Sequence, residues 1–251
     1  MNRLFTFGCS FTQYWRWPTW ADALGRQYDF FENWGVCGSG NSLILYSLIE
    51  CNQRNRLGPG DDIYIMWTNT SREDRYVRDR WLEGGNVYWS AGNTLPEEYI
   101  KKFACERGYL IRDMANITAA KHLLEKWGCK WKFLSMVPLT QTNEQNHLGS
   151  NSNTNHDPDV RELYKDTLST IGPSVFEIVF DGQWFSGSGI PDCYDPRRRD
   201  FHPTPIEHTQ YIDSVFPSLI DRSSVEWMAR CQQQILDGKF HWDEPNRPQR
   251  L

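Results

Sequence analysis

Two parts of the chain carry residue types that could act together in catalysis. Ser10 closely follows the apolar residues 4–7, and Asp200 and His202 flank Phe201 far along the sequence. A serine hydroxyl becomes a nucleophile when a histidine accepts its proton and a carboxylate orients that histidine. The three side chains therefore suit the hydrolysis of an ester, provided that the fold brings Ser10 and His202 together.

The pattern of apolar residues predicts the elements that would position these side chains. Strands are expected at residues 3–8, 28–33, 62–67, 130–137 and 174–180, the last with a helix as the alternative. Helices are expected at residues 18–25, 41–54, 96–127, 160–171, 204–216 and 225–236. Strands that alternate with helices are typical of an α/β fold, in which helices cover both faces of a parallel sheet. Ligands bind at the carboxyl ends of such strands, which is where Ser10 would stand.

The length of the chain fits one domain over residues 1–240, followed by a frayed tail at residues 241–251. Two stretches are typical of insertions: residues 75–95, which are polar and aromatic, and residues 139–159, which are rich in Asn, Ser, Thr and Gln. The second stretch has almost no apolar side chains, so packing cannot offset the entropy of ordering it. Because it follows the fourth predicted strand, we expect a mobile loop there, at the same sheet edge as Ser10.

Composition and charge argue against several classes of partner. The 251 residues carry a formal net charge of −5, with an isoelectric point of about 5.7. Nucleic acids and anionic membranes both favour basic surfaces, so neither is an expected partner. The apolar start has the length of a strand rather than of a signal peptide, and no segment approaches the ~20 apolar residues of a membrane span. A cytoplasmic location is therefore expected.

The cysteines and the known ligand-binding motifs add a further expectation. The seven cysteines are odd in number and contain no C-x-x-C pair, which is typical of free thiols in a reducing compartment. The sequence has no P-loop, no dinucleotide fingerprint and no metal-ligand spacing. We expect no cofactor and no metal, and a small molecule as the substrate.

Four short segments stand at the ends of predicted elements in a characteristic order. They are Gly8-Cys9-Ser10, Asn33-Trp34-Gly35-Val36-Cys37-Gly38, Trp67-Thr68-Asn69 and Asp200-Phe201-His202-Pro203. Their order and residues resemble the four blocks of the SGNH (GDSL-type) hydrolase family over residues 3–216. The Gly-Cys-Ser-Phe-Thr form is similar to a divergent branch found in bacterial and phage genomes. The resemblance implies a flavodoxin-like, three-layer α/β/α fold with a mostly parallel five-stranded sheet.

The resemblance also implies a role for each of five residues. Ser10 would be the nucleophile, His202 the base and Asp200 the group that orients the base. The backbone N–H groups of Ser10 and Gly38 and the side-chain amide of Asn69 would form the oxyanion hole. The implied activity is that of a serine esterase on short acyl groups, such as O-acetyl esters of carbohydrates or similar small substrates. An acyltransferase that uses the same acyl-enzyme is a close variant.

The chain departs from the family pattern at three positions. Cys9 replaces the Asp of the first block, Trp67 replaces the Gly of the third block, and Thr70 follows Asn69 in place of an Asp. The triad residues remain, but the third block is weakened. This motivates an alternative function, a non-catalytic binding or structural module on the same scaffold, with a phage association.

Several residues have a structural interpretation beside the functional one. Ser10 could simply cap a helix, and Cys9 could replace it as nucleophile, although neighbouring side chains of a strand point to opposite sides. The tryptophans at positions 15, 17 and 20 could form a platform for a sugar or could pack the core. The charged residues 72–75 could contact a polar substrate or could form a surface turn.

Overall fold

Strands and helices alternate along most of the chain. The computed structural model describes residues 2–87, 95–139, 158–181, 190–191, 197, 199–243 and 246–248. Within these ranges the strands are β1 (Arg3–Phe7), β2 (Phe30–Asn33), β3 (Asp61–Trp67), β4 (Arg72–Val77), β5 (Arg80–Asn86), β6 (Lys130–Ser135) and β7 (Ile171–Ser174). The helices are α1 (Trp20–Gly25), α2 (Asn41–Asn55), α3 (Glu97–Phe103), α4 (Glu106–Trp127), α5 (Pro158–Leu163), α6 (Lys165–Leu168), α7 (Val175–Ile178), α8 (Pro205–Val215) and α9 (Arg222–Leu236).

Five of the strands form one parallel sheet. Their order is β2-β1-β3-β6-β7, and every neighbouring pair is parallel. This is the strand order of flavodoxin-like sheets. The helices that cover the sheet form two groups, since α2 contacts α4 and α4 contacts α6, whereas α1, α8 and α9 contact one another. The predicted three-layer α/β/α fold with a five-stranded sheet is confirmed.

The central strands are placed by their continuous apolar sequence. Residues 4–7 of β1 and residues 63–67 of β3 are all buried. Parallel strands that are covered on both faces need apolar side chains at successive positions, so such runs belong in the middle of the sheet. Phe7 pairs in register with Ile65, and the two strands therefore end at the same edge. The residues that follow them, Ser10 and Asn69, leave the sheet from that edge.

An antiparallel hairpin, β4 with β5, covers much of the stretch that was expected as an insertion. Its Asp74 carboxylate accepts hydrogen bonds from the backbone N–H groups of Gly40 (2.8 Å) and Leu43 (3.0 Å). Gly40 is the residue before α2 and has no side chain to cap the helix, so Asp74 supplies the cap from outside. Burial raises the pKa of Asp74, against the effect of these hydrogen bonds. Asp74 is therefore a structural residue rather than a substrate contact or part of an exposed turn.

Two predicted helices are each divided in the structure. The helix predicted at residues 96–127 is α3 and α4, because Ala104 and Cys105 between them have extended backbone angles. The helix predicted at residues 160–171 is α5 and α6, and residue 171 already belongs to β7. The apolar side chains keep their helical spacing across such breaks, so the spacing alone could not locate them.

The fifth strand lies before its expected position, and the helix alternative is the correct one for most of residues 174–180. β7 ends at Ser174, and α7 begins directly after it. The Ser174 hydroxyl accepts a hydrogen bond from the Glu177 N–H (3.2 Å), and the Glu177 carboxylate accepts one from the Ser174 N–H (2.8 Å). This is a capping box, and its Ser-x-x-Glu signature was readable in the sequence.

Some sequence predictions concern residues outside the described part of the chain. The mobile loop expected at residues 139–159 falls almost wholly on residues 140–157, so it stays a prediction, as do the domain boundaries. In the part of the chain that the structure describes, no helix combines the length and the apolar character needed to cross a bilayer.

Candidate active site

The turn after β1 presents Ser10 at the carboxyl edge of the sheet. The Cys9 carbonyl accepts hydrogen bonds from the backbone N–H groups of Thr12 (2.9 Å) and Gln13 (3.1 Å), which closes one helical turn. A Cβ on Gly8 would lie 2.1 Å from Thr12 Oγ1, so a glycine is required before the turn. Ser10 is 5% exposed, and its backbone N–H makes no hydrogen bond within the described residues. An N–H at the start of a helical turn is left free to bind a ligand.

Cys9 is directed away from this edge. Its side chain is fully buried in the core, and its Sγ lies 3.5 Å from Met136 Sδ. A thiol without access to solvent cannot attack a substrate, so Cys9 is not a competing nucleophile.

Asp200 and His202 form a hydrogen-bonded pair. Asp200 Oδ1 lies 2.8 Å from His202 Nδ1 and also accepts the backbone N–H of His202 at 2.9 Å. A carboxylate partner makes Nδ1 the protonated nitrogen of a neutral ring, which leaves Nε2 as the acceptor. Burial alone would raise the pKa of Asp200, but hydrogen bonds from His202 and Tyr14 hold it well below its usual range. Asp200 is therefore ionised and fixes the tautomer of His202.

The segment after Ser10 packs directly against this pair. Asp200 Oδ2 accepts hydrogen bonds from the Tyr14 hydroxyl and from Arg16 Nη1, both at 2.6 Å. The Tyr14 ring stacks on the His202 ring with centroids 4.0 Å apart and planes 20° apart, and the Phe11 ring meets it edge-on at 5.5 Å. Residues that directly follow Ser10 are thus in contact with the histidine and the aspartate.

The loop after β2 is tied to the same turn. Asn33 Nδ2 donates to the Thr12 carbonyl (2.8 Å), and the Ser39 hydroxyl donates to the Gly8 carbonyl (3.1 Å). Between them Gly38 has a φ of +83°, in the left-handed region that favours glycine. The Gly38 N–H makes no hydrogen bond within the described residues. A second free backbone donor therefore lies in a loop anchored to the Ser10 turn.

Asn69 supplies a third donor without a partner. The side chain is 2% exposed, and its Oδ1 accepts the Ser71 N–H at 2.6 Å. Because the Ser71 N–H can only donate, the atom that faces it must be the oxygen, which fixes the orientation of the amide. The Nδ2 atom is buried with no hydrogen-bond partner in the described residues. A buried unpaired amide costs about 1–3 kcal/mol, so its retention suggests a role in binding.

Four of the sequence-predicted residues, Ser10, Gly38, Asp200 and His202, thus lie in segments that contact one another. The turn of Ser10 contacts the Asp200–His202 pair, and the loop of Gly38 is bonded to that turn. One expected contact is not formed: within the described residues the Ser10 hydroxyl makes no hydrogen bond to the His202 ring. Catalytic hydrogen bonds are often long in unliganded sites and shorten when substrate binds.

Sequence reasoning missed Tyr14 and Arg16. Both stand in the aromatic run after Ser10, where only the tryptophans were considered. Their contacts to Asp200 span more than 180 residues of sequence, so no local pattern could reveal them. The sequence offered one signal of their role. Tyr14 and Arg16 alternate with tryptophans close to the candidate nucleophile Ser10.

The tryptophans divide between packing and exposure. Trp17 and Trp20 are fully buried, in agreement with a role in packing the core. Trp17 Nε1 also donates a hydrogen bond to the Pro203 carbonyl at 2.9 Å. That hydrogen bond holds the loop next to His202. Trp15 is 46% exposed and is available to a ligand.

His208 is a core residue with an unusual environment. It is fully buried in α8, and neither ring nitrogen has a hydrogen-bond partner within the described residues. Burial, together with the nearby His202, lowers the pKa of His208 to about 3. The ring is therefore neutral at every pH at which the protein would normally be studied.

Replacement of His208 by leucine should make the protein less sensitive to acid. The usual pKa of histidine is 6.5, so below that pH the unfolded chain binds a proton that the folded chain refuses down to about pH 3. The free energy of unfolding should then fall with decreasing pH by up to about 1.4 kcal/mol per pH unit from this residue alone. Urea unfolding of the His208→Leu variant between pH 7 and pH 4 should lack that contribution.

The matched control is His122→Gln, since His122 is an exposed histidine on α4. It should follow the pH dependence of the unchanged protein. Parallel stability curves for His208→Leu and the unchanged protein would contradict the proposed acid sensitivity.

Several solved structures that are similar to this chain are lipolytic proteins of the G-D-S-L type. A member of the lipolytic G-D-S-L family from Veillonella parvula is 14% identical, with a TM-score of 0.44, over 87% of this chain and 100% of that one. A GDSL-like lipase from Bacteroides thetaiotaomicron is 12% identical, with a TM-score of 0.43, over 88% and 89%. A catalytic mutant of an acetylxylan esterase from Geobacillus stearothermophilus is 12% identical, with a TM-score of 0.49, over 88% and 96%.

No protein-family model matches the chain, and no curated protein does. The first two of these structures are of the GDSL type, the family that the four sequence segments resemble. At these identities and TM-scores the likeness does not assign an activity. An activity has to follow from the side chains at the sheet edge.

Proposed function

We propose that this protein is a serine esterase of the SGNH type. The observation that carries the proposal is the Asp200–His202 pair, whose geometry leaves Nε2 of the ring as a base beside the turn of Ser10. Ser10 would be the nucleophile, His202 the general base and Asp200 the orienting carboxylate. Three donors that have no hydrogen-bond partner among the described residues, the N–H groups of Ser10 and Gly38 and Nδ2 of Asn69, support an oxyanion hole.

The proposed reaction proceeds through an acyl-enzyme. His202 Nε2 takes the proton of the Ser10 hydroxyl as Oγ attacks the ester carbonyl, and the carbonyl oxygen becomes an oxyanion held by the three donors. The intermediate collapses, and the protonated His202 gives its proton to the departing alkoxide. Water then enters, gives a proton to His202 Nε2, and its oxygen attacks the acyl carbon. The second intermediate collapses with cleavage of the bond between the acyl carbon and Ser10 Oγ, His202 returns the proton to Oγ, and the acid leaves with the serine restored. An alcohol acceptor in place of water would make the same site an acyltransferase.

The substrate class that we propose is a short acyl ester, such as an O-acetyl group, on a carbohydrate or a similar small molecule. Ser10 is only 5% exposed, which favours a small acyl group over a bulky one. Trp15 and Arg16 line a hollow of about 440 Å³ together with Phe240 and Trp242. Aromatic faces next to a charged group suit a polar ring with one apolar face.

One observation favours the alternative, a non-catalytic binding or structural module on the same scaffold. The Ser10 hydroxyl is not hydrogen-bonded to the His202 ring in the described structure, so the nucleophile and the base are not yet engaged. A module of this kind would keep the hollow and the loops but would not activate the serine.

A fluorophosphonate probe distinguishes the two functions, because it reacts only with an activated serine. The esterase should be labelled at Ser10, as found by mass spectrometry of the peptide that contains residues 9 and 10. Heat-denatured protein is the control and should remain unlabelled. A folded protein that does not react would refute the esterase and support the module.

A further inference from the structure

The carboxylate of Asp200 serves two sets of donors at once. Its Oδ1 binds the ring and the backbone of His202, while its Oδ2 binds the Tyr14 hydroxyl and Arg16 Nη1. Asp200 is 2% exposed, whereas the Arg16 side chain is 18% exposed and reaches it from the rim of the hollow. The orienting carboxylate is thus shared between the histidine and a neighbouring cation.

We propose that Arg16 and Tyr14 are positioning residues that hold part of the charge of Asp200 and thereby lower the pH at which His202 becomes a base. The proposal rests on the esterase function proposed above, in which His202 must be neutral to accept the proton of Ser10. In this proposal Tyr14 and Arg16 act through Asp200 and help to set the pH range in which the site is active.

The charge of Arg16 acts against protonation of His202. An arginine is always protonated, and a like charge nearby disfavours the charged form of a titrating group. Arg16 also neutralises part of the negative charge that would otherwise stabilise a protonated His202. The guanidinium is partly held in place by the Pro191 carbonyl, to which Nη1 donates at 3.2 Å, and it lies over the Trp17 ring at 4.9 Å. Its distance to Asp200 is therefore fixed by packing.

Tyr14 combines two effects. Its hydroxyl donates to Asp200 and draws electron density from the carboxylate, in the same direction as Arg16. Its ring lies against the face of the His202 ring at 4.0 Å and is itself held edge-on by Trp17 at 4.8 Å. Tyr14 is 4% exposed, so the stack is closed to solvent. Tyr14 therefore fixes the ring plane of His202 and also withdraws negative charge from Asp200, the carboxylate that binds His202.

His208 on α8 also interacts electrostatically with His202. His208 is buried and stays neutral above pH 3, so it does not change charge in the range where His202 would titrate. Asp200 and Arg16 are charged groups of this hydrogen-bonded set, and Tyr14 is a neutral donor to it.

The experiment is an NMR titration of the His202 imidazole in the full chain, which needs no activity. The His202 signal is assigned by its loss in His202→Gln. In both Arg16→Gln and Tyr14→Phe the midpoint of the His202 titration should rise by about 0.5–1 pH unit. Each change leaves more negative charge on Asp200, and that charge stabilises the protonated form of His202. Arg16→Lys keeps the charge and should restore most of the original midpoint.

Two controls match these changes at places that do not touch Asp200. Arg26→Gln removes an arginine that lies over Trp227, and Tyr46→Phe removes a hydroxyl from an exposed ring on α2. Neither should move the midpoint. Tyr14→Phe keeps the volume of the buried ring, so it tests the proposal even if Arg16→Gln proves unstable.

The same variants are then assayed for hydrolysis of p-nitrophenyl acetate as a function of pH. The low-pH limb of kcat/KM should move upward together with the NMR midpoint. If both midpoints stay unchanged, or if the variants only lower the melting temperature, Tyr14 and Arg16 are structural and the proposal is overturned. If the midpoints shift but the unchanged protein hydrolyses no ester, the positioning role stands and the esterase function fails.

Discussion

A folded Ser10→Ala protein should hydrolyse p-nitrophenyl acetate roughly 10⁴–10⁶-fold more slowly than the unchanged protein. The substitution removes the atom that attacks the carbonyl, and the remaining oxyanion donors cannot replace a nucleophile. The loss should be in kcat, because Ser10 contributes little to the binding of the ester in its ground state. Steady-state kinetics on the two proteins at one pH measures it.

The fold should survive this change. Ser10 is buried, but its hydroxyl makes no hydrogen bond within the described residues, so alanine leaves no buried partner unpaired. Circular dichroism and the melting temperature of Ser10→Ala provide that check. Cys9→Ala is the paired variant: it removes a core thiol, so it should cost stability and leave kcat nearly unchanged. Turnover at the original rate by folded Ser10→Ala would remove Ser10 as the nucleophile.

The sequence was sufficient for the parts of the fold that depend on local patterns. Buried parallel strands require nearly continuous apolar residues, as in β1 and β3, and a parallel sheet places the ends of such strands at one edge. The positions of Ser10 and Asn69 followed from this rule. The hydrogen-bonded pair of Asp200 and His202 was also readable, since the two residues are separated by one position.

Contacts between distant segments were not readable in the same way. Asp74 caps α2 from a hairpin, and nothing in the run of charges at residues 72–75 distinguishes a buried cap from an exposed turn. Arg16 reaches Asp200 across the whole chain. Such pairs depend on the relative placement of elements, which a single sequence does not encode in its spacing. The capping box at Ser174, in contrast, was local and was overlooked.

The third segment of the family pattern is the weakest in sequence, and the structure gives a way to test it. Trp67 replaces the usual glycine, yet its side chain is fully buried against Phe133, with ring centroids 5.4 Å apart. The Trp67 side chain therefore packs in the core and does not obstruct the sheet edge at which Asn69 lies. The role of Asn69 then depends on its side-chain Nδ2, which has no hydrogen-bond partner among the described residues.

Replacement of Asn69 by alanine should lower kcat for a short ester by about 10²–10³-fold, with a small change in KM. The side-chain N–H would be aimed at charge that develops only in the transition state, so its removal affects the chemical step more than ground-state binding. Asn69→Asp keeps an oxygen for the Ser71 N–H and replaces the donor with a carboxylate, whose negative charge would repel the oxyanion. It should therefore lose at least as much kcat as Asn69→Ala.

Asn116→Ala provides the matched control, since Asn116 is a half-buried asparagine on α4 that donates to Ser42. It should change neither kinetic constant. If Asn69→Asp retains full kcat while Asn69→Ala is merely less stable, the amide only holds the turn through Ser71. In that case the oxyanion hole would have two donors, the backbone N–H groups of Ser10 and Gly38. One such donor stabilises the transition state by roughly 3 kcal/mol, so the expected rate of ester hydrolysis would be correspondingly lower.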